Sequence, residues 1–545
     1  MLALSLLAAP PPADVVLVNG RIYTVDDARP RVSALAVRRG RIAFAGSDAE
    51  AKVAGGPAAR VIDLQGKTVL PGFIDAHAHL LGLGNFLRRA NLTFAASWDE
   101  VVSRVVVFGK EAKPGEWIQG RGWDQNLWPE KQFPTHDALS RAFPRNPVVL
   151  TRVDGHALVA NQKAMELAHV DPSTPDPQGG RILRSPSGAP TGVFVDNAQR
   201  LILRAMPPPS REQTRDAVLA AIRECNRWGL TGIDDAGEDP ATIAVYEELA
   251  RAGKYNLRNY VMLSDPGDGA HAALARPRSA LYDGHLWLRA VKLYADGALG
   301  SRGAALLQPY ADDPGNTGLL VSSPEHIRAV AELALRRGFQ VAVHAIGDRA
   351  NRLVLDQYEA ALRAVPVADH RFRIEHAQVL SPEDIPRFAR LGVVPSMQAT
   401  HQTSDMGWAE QRLGPERIRG AYAWRSLLDT GVVIPDGTDF PVEQVNPLLT
   451  FHAAVTRQDA RGAPKGGWYP AQRMSREEAL RSMTIWAAWA GFQEKVMGSL
   501  APGKYADFVV LDRDILTVPE DEILDARVLA TWVGGREVYD AGRRH

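Results

Sequence analysis

Residues 68–79 read TVLPGFIDAHAH. An apolar run closes on a His-x-His pair. In a strand His77 and His79 are two apart and point to the same side. Two imidazoles on one side can chelate one metal ion. Taken alone, the pair reads equally well as two hydrogen-bonding residues at a strand end. Seven further short runs follow: TGIDDAG (231–237), LRNYVML (257–263), LRAVKLYADG (288–297), FQVAVHAIGD (339–348), FRIEHAQ (372–378), GVVPSMQAT (392–400) and GVVIPDGTD (431–439). Amphipathic segments such as PEHIRAVAELALRRG (324–338) lie between them, with Gly at the helix end. Strands alternating with helices imply a parallel sheet. The expected fold is therefore α/β, a (β/α)8 TIM-type barrel with its chemistry at the C-terminal strand ends.

The polar residues at those ends come in the order His-x-His, Lys, His, His, Asp. Lys292 sits within an apolar strand, where an ammonium is costly unless paired or chemically altered. Carbamylation by carbon dioxide would turn it into an anionic carboxylate able to bridge two metal ions; a snorkelling lysine is the plain alternative. His344 closes the fifth run, with Asp348 nearby. His376 closes the sixth, beside Glu375. Asp439 ends the eighth, after Asp436. Each alone is an ordinary core or turn residue. Five strand ends carrying metal-capable groups are not explained by stability alone. Nitrogen ligands with oxygens suit zinc, with iron, manganese or nickel as alternatives.

Outward from the barrel, both ends of the chain are strand-rich. ADVVLVNGRIYTVDD (13–27) reads as two strands around an Asn-Gly turn. ALAVRRGRIAFAG (34–46) repeats the device, and residues 60–79 supply a third pair. KYADFVVLD (504–512) and VLATWVGGREVYDAG (528–542) mirror them at the other end. A composite β-sandwich domain from 14–70 and 490–545 is expected, flanking a barrel over 71–489. The span from His77 to Asp439 exceeds a typical ~250-residue barrel by roughly 110 residues. The surplus falls at about 84–225, in Pro-, Gly- and Trp-rich sequence. An inserted lid subdomain after the first barrel strand is expected there, since a structureless loop of that length is implausible.

The chain has 545 residues, 45% hydrophobic and 23% charged, which excludes a disordered or fibrous protein. Lys plus Arg equals Asp plus Glu at 63 each, so nothing recruits nucleic acid or an anionic membrane surface. The single cysteine, Cys225, excludes an intrachain disulfide and a Cys-based zinc site; it reads as a buried thiol. Residues 1–9 are apolar and precede PPPA, but are too short for a membrane span and lack the positive segment of a secretory signal. The expected compartment is the cytoplasm, or an exported one if residues 1–13 are the remnant of a signal peptide. No dinucleotide fingerprint, P-loop or Ser nucleophile elbow occurs.

These stretches together resemble the amidohydrolase superfamily, and within it the amidohydrolase-3 branch that includes N-substituted formamide deformylases. The motifs run from VNGRIYTVD (18–26) and LPGFIDAHAHLLGLG (70–84) through GRGWDQNLW (120–128), RVDGHALVAN (152–161), KLYADGALGSRGAAL (292–306), VAVHAIGDRAN (341–351), RIEHAQ (373–378) and GTDFPVEQVNPL (437–448) to LAPGKYADFVVLD (500–512). The resemblance implies two divalent ions. His77 and His79 would hold the more buried one, His344 and His376 the other, with carbamylated Lys292 between them. Asp439 would be ligand and proton shuttle. Asp75 and Glu375 are the candidates to fix the histidine tautomers. The insertion would overlie the barrel mouth, where Trp123, Asp124 and His156 could meet substrate; Arg302 and His401 are further candidates from barrel loops. The implied reaction is hydrolysis of a C–N bond in a small amide, N-formyl or N-acyl amine. A one-metal deaminase of the same superfamily and a non-catalytic scaffold are the competing readings. Relatives often pair as dimers, so a homodimer is a family expectation. Ser185-Pro186-Ser187 stands where relatives commonly have an acidic residue, a departure expected to bear on the lid or the substrate pocket and on no metal ligand.

Overall fold

The structure, a computed structural model, describes residues 14–152, 157–177 and 180–543. The chain divides into two compact units, Leu83–Ala217 and the remainder on either side of it.

The larger unit is built on a parallel sheet of seven barrel strands: β1 Phe73–Ala78, β2 Leu230–Glu238, β3 Arg258–Ser264, β4 Leu286–Tyr294, β5 Gln340–Ala345, β6 Arg373–His376 and β7 Val394–Ser396. They are hydrogen-bonded in chain order. β1 is buried at all six positions, as expected of a strand covered on both faces. Helices return the chain between strands and carry the signals that sequence reading relies on. Asp239 caps helix Pro240–Arg251 by accepting from the amides of Ala241 and Thr242. Ser323 caps Pro324–Arg337, which ends on Gly338 in the left-handed region at φ 77°. Helix Asp348–Ala364 buries Ala350, Val354, Leu355, Tyr358 and Ala361 on one stripe.

The expected eighth strand, 431–439, is not a regular strand. It bonds both neighbours at isolated points: Met397 N donates to Pro435 O at 3.1 Å and Gly437 N to Met397 O at 3.1 Å on the β7 side. On the β1 side Ala76 N donates to Asp436 O at 3.2 Å and Asp439 N to His77 O at 2.7 Å. Pro435 has no N–H, and Asp439 adopts φ 61°, so a continuous ladder cannot form. The segment still closes the circle and delivers Asp439 beside β1.

Two sheets form the rest of this unit. A four-stranded sheet takes Val15–Val18, Ala34–Arg38, Arg41–Gly46 and Arg60–Asp63. A six-stranded sheet takes Arg21–Tyr23, Arg31–Val32 and Thr68–Pro71 together with Phe508–Leu511, Val528–Val533 and Arg536–Asp540. Leu17, Leu35, Val69, Phe508 and Trp532 share one buried cluster. The Arg39-Gly40 and Gly534-Gly535 turns make true hairpins. The Asn19-Gly20 turn does not: its two strands enter different sheets. The pair in 60–79 separates in the same way. A buried ion pair, Arg258 to Asp507 at 2.5 and 3.0 Å, joins β3 to the C-terminal segment, with the Tyr505 ring 3.6 Å from the guanidinium carbon.

The smaller unit has a six-stranded sheet ordered 180–184, 190–196, 157–160, 148–152, 118–123, 90–91. Helices Trp98–Phe108 and Asp137–Ala142 complete a core with Leu92, Trp123, Trp128 and Leu150. Cys225, in helix Arg211–Arg227, is buried and free. Among the described residues no helix is long and apolar enough to cross a membrane.

Candidate metal centre

The seven strands place their polar ends together. His77 (β1), Lys292 (β4) and His376 (β6) are 1%, 1% and 5% exposed. Ring centroids of His77 and His376 are 4.9 Å apart, those of His376 and His344 4.5 Å, and those of His77 and His79 5.6 Å. Asp439 Oδ1 lies 3.1 Å from His79 Nε2 and 3.8 Å from His77 Nε2, yet accepts no well-aligned hydrogen bond. Lys292 Nζ is 3.1 Å from His77 Nε2. The structure thus brings together all six of His77, His79, Lys292, His344, His376 and Asp439. His344 is the least engaged: its Nε2 faces Gly297 O at 3.5 Å and Asp296 Oδ1 at 3.7 Å. His376 and Asp439 both hold left-handed backbone, φ 73° and 61°. Such conformations cost energy for non-glycine residues and recur at functional sites.

The surroundings set protonation. Glu375 Oε2 lies 2.5 Å from His77 Nδ1, so Nδ1 carries the proton and Nε2 is the free donor. Burial opposes charge on Glu375, but Arg373 and then His77 outweigh it and hold the carboxyl well below its ordinary value. Arg373 is fully buried. It donates to Glu375 through Nε at 2.6 Å and Nη2 at 3.1 Å, to Ser396 Oγ at 2.8 Å, and to Asp234. Gln398 Oε1 accepts from His376 Nδ1 at 2.6 Å. Asp75 does not touch an imidazole; it accepts from the amides of His77 at 3.1 Å and Thr438 at 2.9 Å and from the Thr438 hydroxyl at 2.7 Å.

Burial, then the charge of Lys292, pushes His77 down to about 4 and His344 down to about 3. Burial and the neighbouring His344 put His376 well below its ordinary value. Burial would raise Asp439, but the hydrogen bond from His401 and the adjacent His79 imidazole hold it well below the usual carboxylate range. Neutral imidazoles beside an ionised carboxylate are the protonation states that a divalent cation requires of its ligands. The donor set therefore fits a metal, with His77, His79 and Asp439 forming one group of three donors; His401 stands within the same reach of His376 and Asp439.

His401 joins the cluster as a bridge between carboxylates: Nε2 is 3.3 Å from Asp439 Oδ2 and Nδ1 3.3 Å from Glu443 Oε1. Burial opposes its charge, but both hydrogen bonds outweigh it and push His401 up to about 10. Glu443, Gln398 and Arg373 escaped sequence reading: His401, His376 and Asp234, to which they bond, lie 42, 22 and 139 positions away, and the pairing of Arg373 with Glu375 two positions on carries no signal of its own. Other expected substrate contacts are engaged elsewhere. Trp123 is 0% exposed and donates Nε1–H to Leu150 O at 2.8 Å inside the smaller unit's core. Its size and apolar neighbours bury it, which corrects the expectation of a substrate contact. Asp124 pairs with Arg152 at 2.7 Å. Arg302 pairs with Asp312 at 2.9 Å, so its guanidinium is already matched to a carboxylate. His156, with Asp154 beside it, lies outside the described residues.

A parallel barrel with a histidine and carboxylate cluster at its C-terminal strand ends is the architecture of a metal-dependent hydrolase. The chain belongs to the amidohydrolase family, whose model matches residues 60–539. It is 36% identical to Protein LONG AFTER FAR-RED 3 of Arabidopsis thaliana over 97% of this chain and 92% of that one. It is 31% identical to the N-substituted formamide deformylase of Arthrobacter pascens over 97% of this chain and 98% of that one. Among solved structures, an uncharacterized metal-dependent hydrolase from Pyrococcus furiosus superposes with a TM-score of 0.77 at 30% identity, covering 92% of this chain and 99% of that one. The family resemblance read from the sequence is thereby borne out.

Proposed function

We propose that this protein hydrolyses the C–N bond of a small amide, N-formyl or N-acyl amine, with His77, His79, Lys292, His344, His376 and Asp439 holding two divalent ions, zinc by preference. The observation that carries this is the convergence of those six side chains on one site from four barrel strands, β1, β4, β5 and β6, and the closing segment. The 31% identity to the N-substituted formamide deformylase of Arthrobacter pascens supports the substrate class.

When bound, the ions supply Lewis acidity and lower the pKa of water from ~15.7 towards ~7. The chain's own residues do the rest. Glu375 holds His77 with Nε2 free. Asp439, ionised and facing two imidazole nitrogens, is placed to take the proton of the attacking water and return it to the leaving nitrogen. His401 grips the second oxygen of Asp439 and so fixes the carboxylate's orientation.

Lys292 has no carboxylate within 4 Å among the described residues, and burial pushes it down to about 8 despite Glu375 and Asp439. A buried amine without a counter-ion is suited to carbamylation: the neutral Nζ attacks carbon dioxide, a C–N bond forms, and one proton is released. The product carboxylate would sit beside His77 Nε2.

The test is a panel of N-formyl and N-acyl amines with metal-stripped and zinc- or manganese-loaded protein. Turnover should appear only on loading, with about two ions per chain. Equal activity of stripped and loaded protein sinks the reading. One ion per chain with release of ammonia from an aminated ring would favour the deaminase instead.

A further inference from the structure

Tyr294 is the last residue of β4 and stands two positions beyond Lys292, on the same side of the strand. It pairs in register with His344 of β5, and the two rings are 5.6 Å apart. Lys292 Nζ is 5.2 Å from the phenol ring centroid. The side of β2 facing it is cleared by Gly237, at φ 93°: a Cβ there would lie 3.5 Å from the Tyr294 hydroxyl and 3.6 Å from Lys292 Cγ. Tyr294 is 40% exposed although its immediate neighbours are buried. Its hydroxyl has no hydrogen-bond partner among the described residues, whereas the buried tyrosines 246, 260, 310, 358 and 422 are all bonded.

A solvent-facing hydroxyl donor beside the metal-ligand cluster is free to meet an acceptor on a bound substrate. We propose that the Tyr294 hydroxyl donates a hydrogen bond to the carbonyl oxygen of the amide-type substrate. As water adds to the carbonyl carbon, the C=O π pair moves onto that oxygen, and the hydrogen bond strengthens as charge collects there. The phenol keeps its proton throughout. The inference rests on the proposed amide hydrolysis.

The experiment compares full-length, metal-loaded wild type with Tyr294→Phe. Readouts are kcat and KM on the N-formyl panel, calorimetric binding of acetohydroxamate, and metal content. The variant removes one oxygen and keeps the ring, so folding and metal content should hold. Loss of an oxyanion donor typically lowers kcat by roughly 10²–10³-fold, and KM should move by less than about threefold. Acetohydroxamate, a planar carbonyl ligand, should bind about tenfold more weakly, as for one lost hydrogen bond. Unchanged kcat with unchanged hydroxamate binding overturns the proposal. So does a loss confined to KM, which would make Tyr294 a wall of the pocket only, or a fall in metal content, which would make it a support for the ligands. If wild type turns over no panel member, the amide reading fails, and hydroxamate binding alone decides the role of Tyr294.

Discussion

His77 Nδ1 and Glu375 Oε2 lie 2.5 Å apart although 298 positions separate the residues in the chain. That contact joins β1 to β6 and gives His77 a defined tautomer. Through Glu375 the constraint reaches Arg373, and through Arg373 it reaches Asp234 on β2 and Ser396 on β7. The metal-ligand geometry is thus fixed by a buried ionic lattice that ties four strands.

Glu375→Gln should loosen that lattice. An amide can present either end to His77, so the tautomer is no longer imposed, and Arg373 loses half of its countercharge. Loss of such a supporting partner typically weakens metal binding by about 10–100-fold. Competition with a chelator measures it. An unchanged metal affinity would show that Glu375 serves packing alone. Arg373→Ala, by contrast, leaves two buried carboxylates uncompensated and should destabilise the fold by about 3–5 kcal/mol.

Asp439→Asn keeps the shape of the side chain and removes its basicity. General acid–base catalysis typically contributes 10²–10⁴-fold, so kcat on an N-formyl substrate should fall by at least about a hundredfold while circular dichroism stays unchanged. Retention of more than a tenth of kcat would transfer the proton-shuttling role to another group.

Lys292 makes a spectroscopic prediction. Protein equilibrated with 13C-labelled bicarbonate and zinc should show a carbamate carbon resonance, absent in Lys292→Ala. A wild-type spectrum without that resonance would leave Lys292 an ordinary amine beside His77 and reduce the bridging ligand set.

The barrel was legible because strands buried on both faces read as short apolar runs, and because each ligand ends such a run. What was not legible has a common physical cause. Asn19-Gly20 has the composition of a hairpin turn, but Val15–Val18 and Arg21–Tyr23 each find better partners in different sheets. Tertiary pairing overrides turn propensity. Gln398, Glu443 and Arg373 are ordinary residues until the fold brings His376, His401 and Asp234 to them. Trp123 misled for the opposite reason: a large aromatic in a Gly-rich motif suggests a binding surface, but here the ring fills a core.

That core yields a stability prediction. Trp123 packs 6.0 Å from Trp128 and is wholly buried. Trp123→Ala should cost about 3–5 kcal/mol in the unit that contains it, read as an earlier transition in denaturant. Metal content of the folded protein should not change. If the variant were as stable as wild type and only KM rose, Trp123 would be a substrate contact after all.

Glu238, at the end of β2, gives the pH dependence. Burial, then the charge of Asp235, pushes its carboxyl from 4.5 up to about 10. Asp235 meanwhile is bonded to Tyr246 at 2.8 Å, Asn259 at 3.0 Å and the Leu80 amide at 3.0 Å. The two carboxyls face each other, and Glu238 keeps its proton. The sign follows from linkage: between pH about 4.5 and about 10 the folded chain binds a proton that the unfolded chain has released, so this group's contribution to stability falls as pH rises through that window. Below about 4.5 both states are protonated and the dependence vanishes. Glu238→Gln mimics the protonated form at every pH. Urea unfolding at pH 6 and pH 9 should show the wild type losing more stability than the variant between the two values. Equal losses would mean that Glu238 is ionised in the folded protein.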